Sequence, residues 1–480
     1  MENNIRIGIL ISFFMNKNNV TIPLGSIVMT KKIENHFGLF QYLFSDLEGR
    51  AKDFIPLTKI LTCNKLTHSV SINQINNTYP LEFMQQLGMK DTPHQKAMYR
   101  TLERVGKSLP IVLSRYQKLI EKHDLVDNEQ IIDFSSSYFE GTKADLAKLG
   151  YSRDKKSGKP QITFGISTGI SGVPTAVTIQ KGNVQDKTHM KTMLKLVSKV
   201  LPENSLLIFD AGANTRDNKK KMRKNLKFHY LTLRPKKVGP YTKYIRYFDV
   251  QLKKNDITHM LVNNQNYYCV KKRESNGDLS YIFFSPELYK TQIKIKKRKF
   301  KRAKEKGNKE LKKRKHVTFP SDGGWVTLLP SLQKTLTDIK NPYINGVEGF
   351  FILESSVDDD PIKILLLYKS RDKAEKFFRA MKEGIELRPL RHWNKWNILG
   401  IFFMSFLANL LVILTHVLNK ISPDKNVKLL KKQLINLTHT TVYPPKGFKF
   451  TILSNVSPVI LELFGDFVWK FEDKSLKLRW

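Results

Sequence analysis

Residues 129–139, EQIIDFSSSYF, begin the part of the chain that decides the fold. Their β-branched and aromatic side chains predict a strand. Two more strands are predicted at PQITFGIST (160–168) and PTAVTIQKG (174–182). Helix-like and strand-like segments then alternate: DKTHMKTMLKLVSKVL (186–201), SLLIFDAG (205–212), NTRDNKKKMRKN (214–225) and FHYLTLRP (228–235). Three adjacent strands predict a meander and the alternation predicts parallel additions, so the expected fold class is mixed α/β.

The charge of the chain favours a polyanionic partner. Among 480 residues, 82 are Lys or Arg and 43 are Asp or Glu, which gives a formal charge of +39. Residues 294–315 contribute fourteen basic and two acidic side chains, a net +12, so the rest of the chain is also basic. A basic folded body favours nucleic acid over a tethered membrane anchor. The hydrophobic content of 41% excludes wholesale disorder.

The two cysteines, Cys63 and Cys269, exclude a disulfide framework and a multi-cysteine zinc site. Such low cysteine usage favours a reducing compartment, so a cytoplasmic location is expected.

One segment, 398–418, is long and apolar enough to span a bilayer. It contains Gly400, Ser405, Asn409 and His416, and it follows a charged segment. We therefore expect a buried core helix and no membrane partner, with a membrane span as the alternative.

The most informative segment is 362–386, which the pattern predicts to be one helix. Tyr368, Arg371, Glu375 and Lys382 would share a face spanning roughly 60° of the helix, with Arg379 beside them. A neighbouring face carries the apolar residues: Ala374, Phe377, Phe378, Met381 and Ile385. An exposed face with helical salt bridges is an equally good interpretation of this spacing.

Two aspartates at strand positions favour a functional site over an exposed face with salt bridges. Asp133 follows the strand start EQII, and Asp210 ends the strand SLLIF. Carboxylates at such positions project into clefts. With Glu375, they supply the three oxygen-donor side chains that a two-metal phosphoryl-transfer site requires.

These residues carry a resemblance to a known family. The sequence resembles the DDE insertion-sequence transposases of the large cut-and-paste group with a Y-R-E-K signature. The resemblance rests on Asp133, Asp210 and the pattern Y-x2-R-x3-E-x6-K from Tyr368 to Lys382. Supporting matches lie at GYSRD (150–154), GVP (172–174), GNVQD (182–186) and ELRPLRHW (386–393).

The resemblance implies a ribonuclease-H-like core that binds two Mg²⁺ or Mn²⁺ ions through Asp133, Asp210 and Glu375. It implies cleavage at insertion-sequence ends and strand transfer into target DNA. It also implies phosphate contacts from Tyr368, Arg371 and Lys382, to which the spacing adds Arg379. The implied partner is double-stranded DNA, both element ends and target, and family behaviour suggests a homodimer in the DNA complex.

The pattern of elements and the resemblance together predict five regions, in the order of a core split by an insertion. They are a helical N-terminal region that is a candidate for DNA-end binding (1–128), the first part of the ribonuclease-H-like core (129–235), a β-rich basic insertion subdomain (236–340), the second part of the core with the signature helix (341–420), and a C-terminal region without an assigned role (421–480).

Two other functions compete with an active transposase. A catalytically inactive, basic DNA-binding remnant of such an element would keep the fold and the charge. A membrane protein built around 398–418 would use that segment as a span. Metal-dependent cleavage, binding without cleavage, and extraction only with detergent distinguish the three.

Overall fold

The computed structural model describes residues 18–48, 53–141, 144–154, 156–312, 317–321, 324–328, 340–388, 390–421, 426–444 and 448–472. Its strands are β1 Val20–Pro23, β2 Glu129–Tyr138, β3 Gln161–Gly169, β4 Pro174–Lys181, β5 Leu206–Phe209, β6 His229–Leu233, β7 Thr258–Val262, β8 Gln265–Arg273, β9 Leu279–Phe284, β10 Val317–Ser321, β11 Gly324–Leu328, β12 Phe350–Ser355, β13 Thr438–Val442 and β14 Phe450–Ser454.

The α-helices among the same residues are α1 Gly25–Phe37, α2 Leu39–Glu48, α3 Phe54–Leu66, α4 Ile75–Thr78, α5 Leu81–Gln86, α6 Gln95–Lys107, α7 Leu109–Lys122, α8 Asp186–Val197, α9 Arg216–Lys220, α10 Val238–Lys253, α11 Pro286–Lys312, α12 Pro361–Lys369, α13 Asp372–Arg379, α14 Lys395–Leu418, α15 Val427–Asn436 and α16 Pro458–Phe464. Short 3₁₀ turns lie at Ile72–Gln74, Ala211–Ala213 and Gly465–Phe471, and π turns at Lys221–Asn225 and Ala380–Gly384. The mixed α/β class is confirmed.

The described chain divides into two compact units. The larger unit holds the residues up to Pro202 and from Asp372 onward, and the smaller unit holds Glu203–Arg371. The five functional regions expected from the sequence stay a prediction.

In the larger unit, β2, β3 and β4 form the predicted antiparallel meander. Asp133 lies opposite Ile166 in the register of β2 and β3. All nine residues of β3 are buried, as expected for the central strand of a covered meander. A second antiparallel sheet in this unit has the order β1-β13-β14.

The core of the larger unit is built around α14, the long apolar helix. It has the length and hydropathy of a membrane span, but 89% of its most apolar stretch is buried inside the protein. Phe402 packs on Phe164 of β3, with ring centroids 5.2 Å apart, and Phe406 packs on Tyr116 of α7 at 5.4 Å. The predicted buried core helix is therefore what the structure contains.

Helix α14 approaches α6 unusually closely. A Cβ added to Gly400 would lie 2.1 Å from the carbonyl oxygen of Leu102, and one added to Gly106 would lie 2.0 Å from that of Trp396. Because both neighbours are backbone atoms, the contact requires glycine on each helix.

The smaller unit contains a mixed sheet with the order β5-β6-β12-β9-β8-β7. Strands β5 and β6 are parallel, as the alternation predicted, and β12 runs antiparallel to both β6 and β9. Helix α10 packs on this sheet through Tyr241, Tyr244 and Phe248. The basic run 294–315 lies in α11 as far as Lys312, and residues 313–315 lie outside the described part of the chain.

The prediction of one helix over 362–386 is wrong. Helix α12 ends at Lys369, α13 begins at Asp372, and a π turn follows at Ala380–Gly384. In that turn the amide of Ile385 donates to the carbonyl of Ala380, five residues back, which adds a residue to one turn. The uniform rotation that would place the four signature residues on one face is therefore lost. The predicted apolar face is confirmed, since Ala374, Phe377, Phe378, Met381 and Ile385 are all buried.

Candidate active site

Three predicted site residues meet in the smaller unit. Asp210 follows the last residue of β5, and Tyr368 lies near the end of α12, which packs on that strand. The phenol of Tyr368 donates a hydrogen bond to Oδ1 of Asp210 at 3.4 Å. Nη1 of Arg371 donates to Oη of Tyr368 at 3.0 Å and lies 3.5 Å from Oδ1 of Asp210. The structure thus gathers a carboxylate, a phenol and a guanidinium.

The members of this cluster differ in their access to solvent. The side chain of Asp210 is 47% exposed, whereas that of Arg371 is 14% exposed. Burial raises the pKa of the Tyr368 phenol, the cation of Arg371 opposes that rise, and the carboxylate of Asp210 adds to it. Tyr368 therefore stays a neutral hydrogen-bond donor at neutral pH, beside an accessible carboxylate.

The turn that carries Asp210 is held by a buried carboxylate that the sequence analysis missed. Glu354 of β12 accepts from the side-chain amide of Asn214 at 2.7 Å. The same carboxylate pairs with Lys219 at 2.9 Å and Arg234 at 2.5 Å, and its side chain is 8% exposed. The sequence feature that could have revealed Glu354 is its position inside the apolar strand FFILES, where an unpaired charge would be destabilising.

Two further candidates, Asp133 and Glu375, lie in the larger unit. Asp133 is half-buried within β2, and its Oδ1 accepts from the amide of Phe134 at 2.9 Å. Glu375 is exposed on α13, which packs against β2 and β3 through its buried face. Arg379 is exposed one turn later on the same helix. The fold places these charges on rigid elements at the surface of the meander.

Lys382 has a different environment from the one expected. Its Nζ donates to Oδ1 of Asp154 at 2.9 Å, and Nη1 of Arg388 donates to the same oxygen at 2.9 Å. The side chains of Lys382 and Asp154 are 10% and 3% exposed. Burial lowers the pKa of Lys382, and the carboxylate of Asp154 opposes that shift. The phosphate contact stays a prediction, while the geometry favours a role in holding the loop at Asp154.

The donor chemistry of the three acids suits a hard divalent cation, since Mg²⁺ prefers carboxylate oxygens. Within the described ranges, however, no group of three or more His, Cys, Asp or Glu side chains is arranged to hold a metal ion. The candidate set therefore fits Mg²⁺ or Mn²⁺ in its chemistry but not as an assembled three-ligand site.

Comparisons with known proteins address the family. The chain is similar to a solved structure of a piggyBac transposase synaptic complex with hairpin DNA, with 10% identity and a TM-score of 0.39 over 96% of this chain and 86% of that chain. No curated protein matches the chain. A family model described as "Transposase DDE domain" matches residues 125–408, more than half of the sequence. The chain belongs to the transposase DDE domain family.

Proposed function

We propose that the chain is an active DNA transposase of the Y-R-E-K group. It would cleave DNA at insertion-sequence ends and transfer the resulting 3′-OH ends into target DNA. The observation that carries this proposal is that the family match over 125–408 includes Asp133, Asp210 and Glu375 together with the signature from Tyr368 to Lys382.

Asp133, Asp210 and Glu375 would hold two Mg²⁺ or Mn²⁺ ions. When bound, such ions activate the attacking hydroxyl and stabilise the leaving oxygen. Asp210 is suited to this role because nearly half of its side chain is open to solvent. Glu375 is exposed on a rigid helix, which suits a ligand that must reach a substrate-bound ion.

The cationic groups would bind the DNA backbone. Arg371 presents a planar fork of donors, which matches phosphate oxygens better than an ammonium does. Tyr368 would donate a hydrogen bond from its phenol to a phosphate oxygen, since its raised pKa keeps the phenol protonated. Arg379 is exposed and has no ion-pair partner among the described residues.

The test is a cleavage assay with the full chain and duplex DNA that carries the element's own inverted ends. We expect nicks that require Mg²⁺ or Mn²⁺ and that disappear in Glu375→Gln, while binding to end DNA persists. Asp217→Asn is the control, because it removes an exposed carboxylate that has no part in the proposed site. Cleavage that survives in Glu375→Gln, or that needs no metal, would contradict the proposal.

Direct binding of Mn²⁺ tests the three proposed metal ligands independently of DNA cleavage. We expect electron paramagnetic resonance titration to show two sites in the wild type on end DNA and weaker binding in Asp133→Asn and Asp210→Asn. Unchanged Mn²⁺ binding in both variants would remove these aspartates from the site.

The second candidate is an inactive DNA-binding remnant. It would keep the fold and the formal charge of +39 that favours a polyanionic partner. End binding that is steeply salt-dependent, without cleavage under any metal, would support it.

The chain would act in the cytoplasm on nucleoid DNA and would form a homodimer that bridges two ends. Light scattering measures the mass of the complexes that the chain forms with one DNA end and with two DNA ends. A strictly monomeric DNA complex would exclude the dimer.

A further inference from the structure

The larger unit contains a cavity of about 560 Å³. It lies among α13 and the following π turn, the second half of α14, and the first residues of α15. Its volume is in the range of small-molecule sites. The wall includes apolar side chains from all four of these elements: Phe377, Ala380, Val412, Ile413 and Val427.

One polar group in the wall lacks a partner. Asn409 of α14 lines the cavity and is 1% exposed. Its Nδ2 has no hydrogen-bond partner among the described residues. A buried amide without a hydrogen-bond partner is destabilising, so such a group in the wall of a cavity is a candidate partner for a ligand. An amide offers a donor and an acceptor side by side, which matches the edge of a nucleobase.

The mouth of the cavity favours an anion. Its two carboxylates are already paired, Asp372 with Lys376 at 3.0 Å and Glu383 with Arg388 at 2.9 Å. Lys428 is exposed and, like Arg379, has no ion pair in the described part of the chain. Lys428 also lies in the first turn of the ten-residue helix α15, whose N-terminal dipole attracts negative charge.

We propose that this cavity binds one nucleotide unit. The base lies between the apolar walls with its polar edge on Asn409, and the phosphate lies at the mouth beside Lys428 and Arg379. The same chemistry is offered by a free nucleoside monophosphate and by the terminal nucleotide of a 5′-phosphorylated DNA end. This inference does not require cleavage or a metal ion.

The test is calorimetric titration of the full chain with dAMP in the absence of divalent metal. We expect dAMP to bind, and Asn409→Leu to lower its affinity by roughly tenfold or more, the scale of one buried hydrogen-bonded group. Asn409→Leu should also keep or raise the melting temperature, because it removes an unpaired buried amide. Asn397→Leu is the matched control, since Asn397 lies on the same helix, has a buried oxygen without a partner among the described residues, and does not line the cavity.

A second pair of variants tests the phosphate position. Lys428→Gln should weaken dAMP binding several-fold and leave deoxyadenosine binding unchanged, while Lys432→Gln, exposed on the same helix, changes neither. Competition by a 5′-phosphorylated oligonucleotide but not by its 5′-hydroxyl form supports the DNA end as the source. Binding of dAMP without such competition supports a free nucleotide. The proposal is overturned if dAMP does not bind at millimolar concentration, if inorganic phosphate binds equally well, or if Asn409→Leu and Asn397→Leu have the same effect.

Discussion

Nη1 of Arg371 lies 3.5 Å from Oδ1 of Asp210. A residue expected to bind DNA phosphate is thus paired with a residue expected to bind metal. The guanidinium attracts this carboxylate until a divalent cation competes for it. If the proposed metal binds Asp210, it would compete with Arg371 for this carboxylate and free the guanidinium for a phosphate.

The first prediction concerns Arg371→Gln. We expect weaker binding to end DNA and a salt dependence reduced by about one phosphate contact, because one guanidinium is removed. Filter binding at several salt concentrations measures both. Lys363→Gln is the control, since Lys363 lies on α12, shortly before Arg371 in the chain, but pairs with Asp359 at 2.6 Å. Equal affinity for wild type and Arg371→Gln would contradict the assigned role.

The second prediction concerns Glu354→Gln. Removing this charge leaves Lys219 and Arg234 facing a neutral amide and weakens the bond that holds Asn214. We expect a loss of about 2 kcal/mol in the free energy of unfolding, reduced from the fully buried case because both cations are partly exposed. Urea denaturation measures it, with the exposed Asp217→Asn as control. No loss of stability would show that the turn after Asp210 is held by other contacts.

The third prediction separates two roles of Lys382. Because Lys382 and Arg388 share the buried carboxylate of Asp154, Asp154→Ala should cost about 3 kcal/mol by leaving the buried ammonium of Lys382 without its carboxylate, while Arg388 keeps Glu383. Lys382→Met should lower the melting temperature and leave the salt dependence of DNA binding unchanged, in contrast to Arg379→Met. A reduced salt dependence with an unchanged melting temperature would instead support a phosphate contact.

The fourth prediction is an acid sensitivity caused by His189. Its Nε2 lies 2.8 Å from Oγ1 of Thr178, its ring lies 4.7 Å from that of Phe134, and burial lowers its pKa to about 3, with the charge of Arg153 as a smaller cause. An unfolded histidine has a pKa of about 6.5. Between those values the unfolded chain binds one more proton, so stability falls as pH falls from about 6.5 toward 3.

This group alone should make the protein about 3 kcal/mol less stable at pH 4 than at pH 7. His189→Gln should flatten that part of the stability profile, whatever its effect at neutral pH. Urea midpoints between pH 4 and pH 7 measure the slope, and an identical slope in the variant would be inconsistent with a neutral buried His189.

The fifth prediction concerns the contact of α6 and α14. Gly400→Ala would place a methyl group 2.1 Å from the carbonyl oxygen of Leu102, so we expect a loss of at least about 2 kcal/mol from overpacking against backbone. Gly239→Ala is the control, because a Cβ there meets no atom within 4 Å. Thermal unfolding measures both, and equal melting temperatures would mean that the helices separate freely.

Local sequence patterns were sufficient to predict the strands and helices of the core. The segments predicted from 129 to 235 form strands and helices in the expected order, because alternation and short apolar runs act through neighbouring residues and the backbone. The apolar face at Phe377 and Phe378 was also predictable, since burial requires only that one side of the helix be apolar.

The candidate site depends on contacts that local patterns do not contain. Spacing alone placed Lys382 beside Glu375 on one helix face, but a break at Ser370–Arg371 and a π turn interrupt that helix. Lys382 is instead drawn to Asp154, 228 residues earlier, because a buried ammonium requires a carboxylate partner.

The sequence by itself determined the mixed α/β class, the order of the elements, the burial of the long apolar helix and the membership in the transposase family. Only the tertiary structure decided which charges meet: Asp210 with Arg371, Asp154 with Lys382, and Glu354 with Lys219. The physical reason is the separation along the chain over which each effect acts. Periodicity reports the few residues nearest in the chain, whereas a charge removed from water selects its partner from whatever the fold brings within a few ångströms.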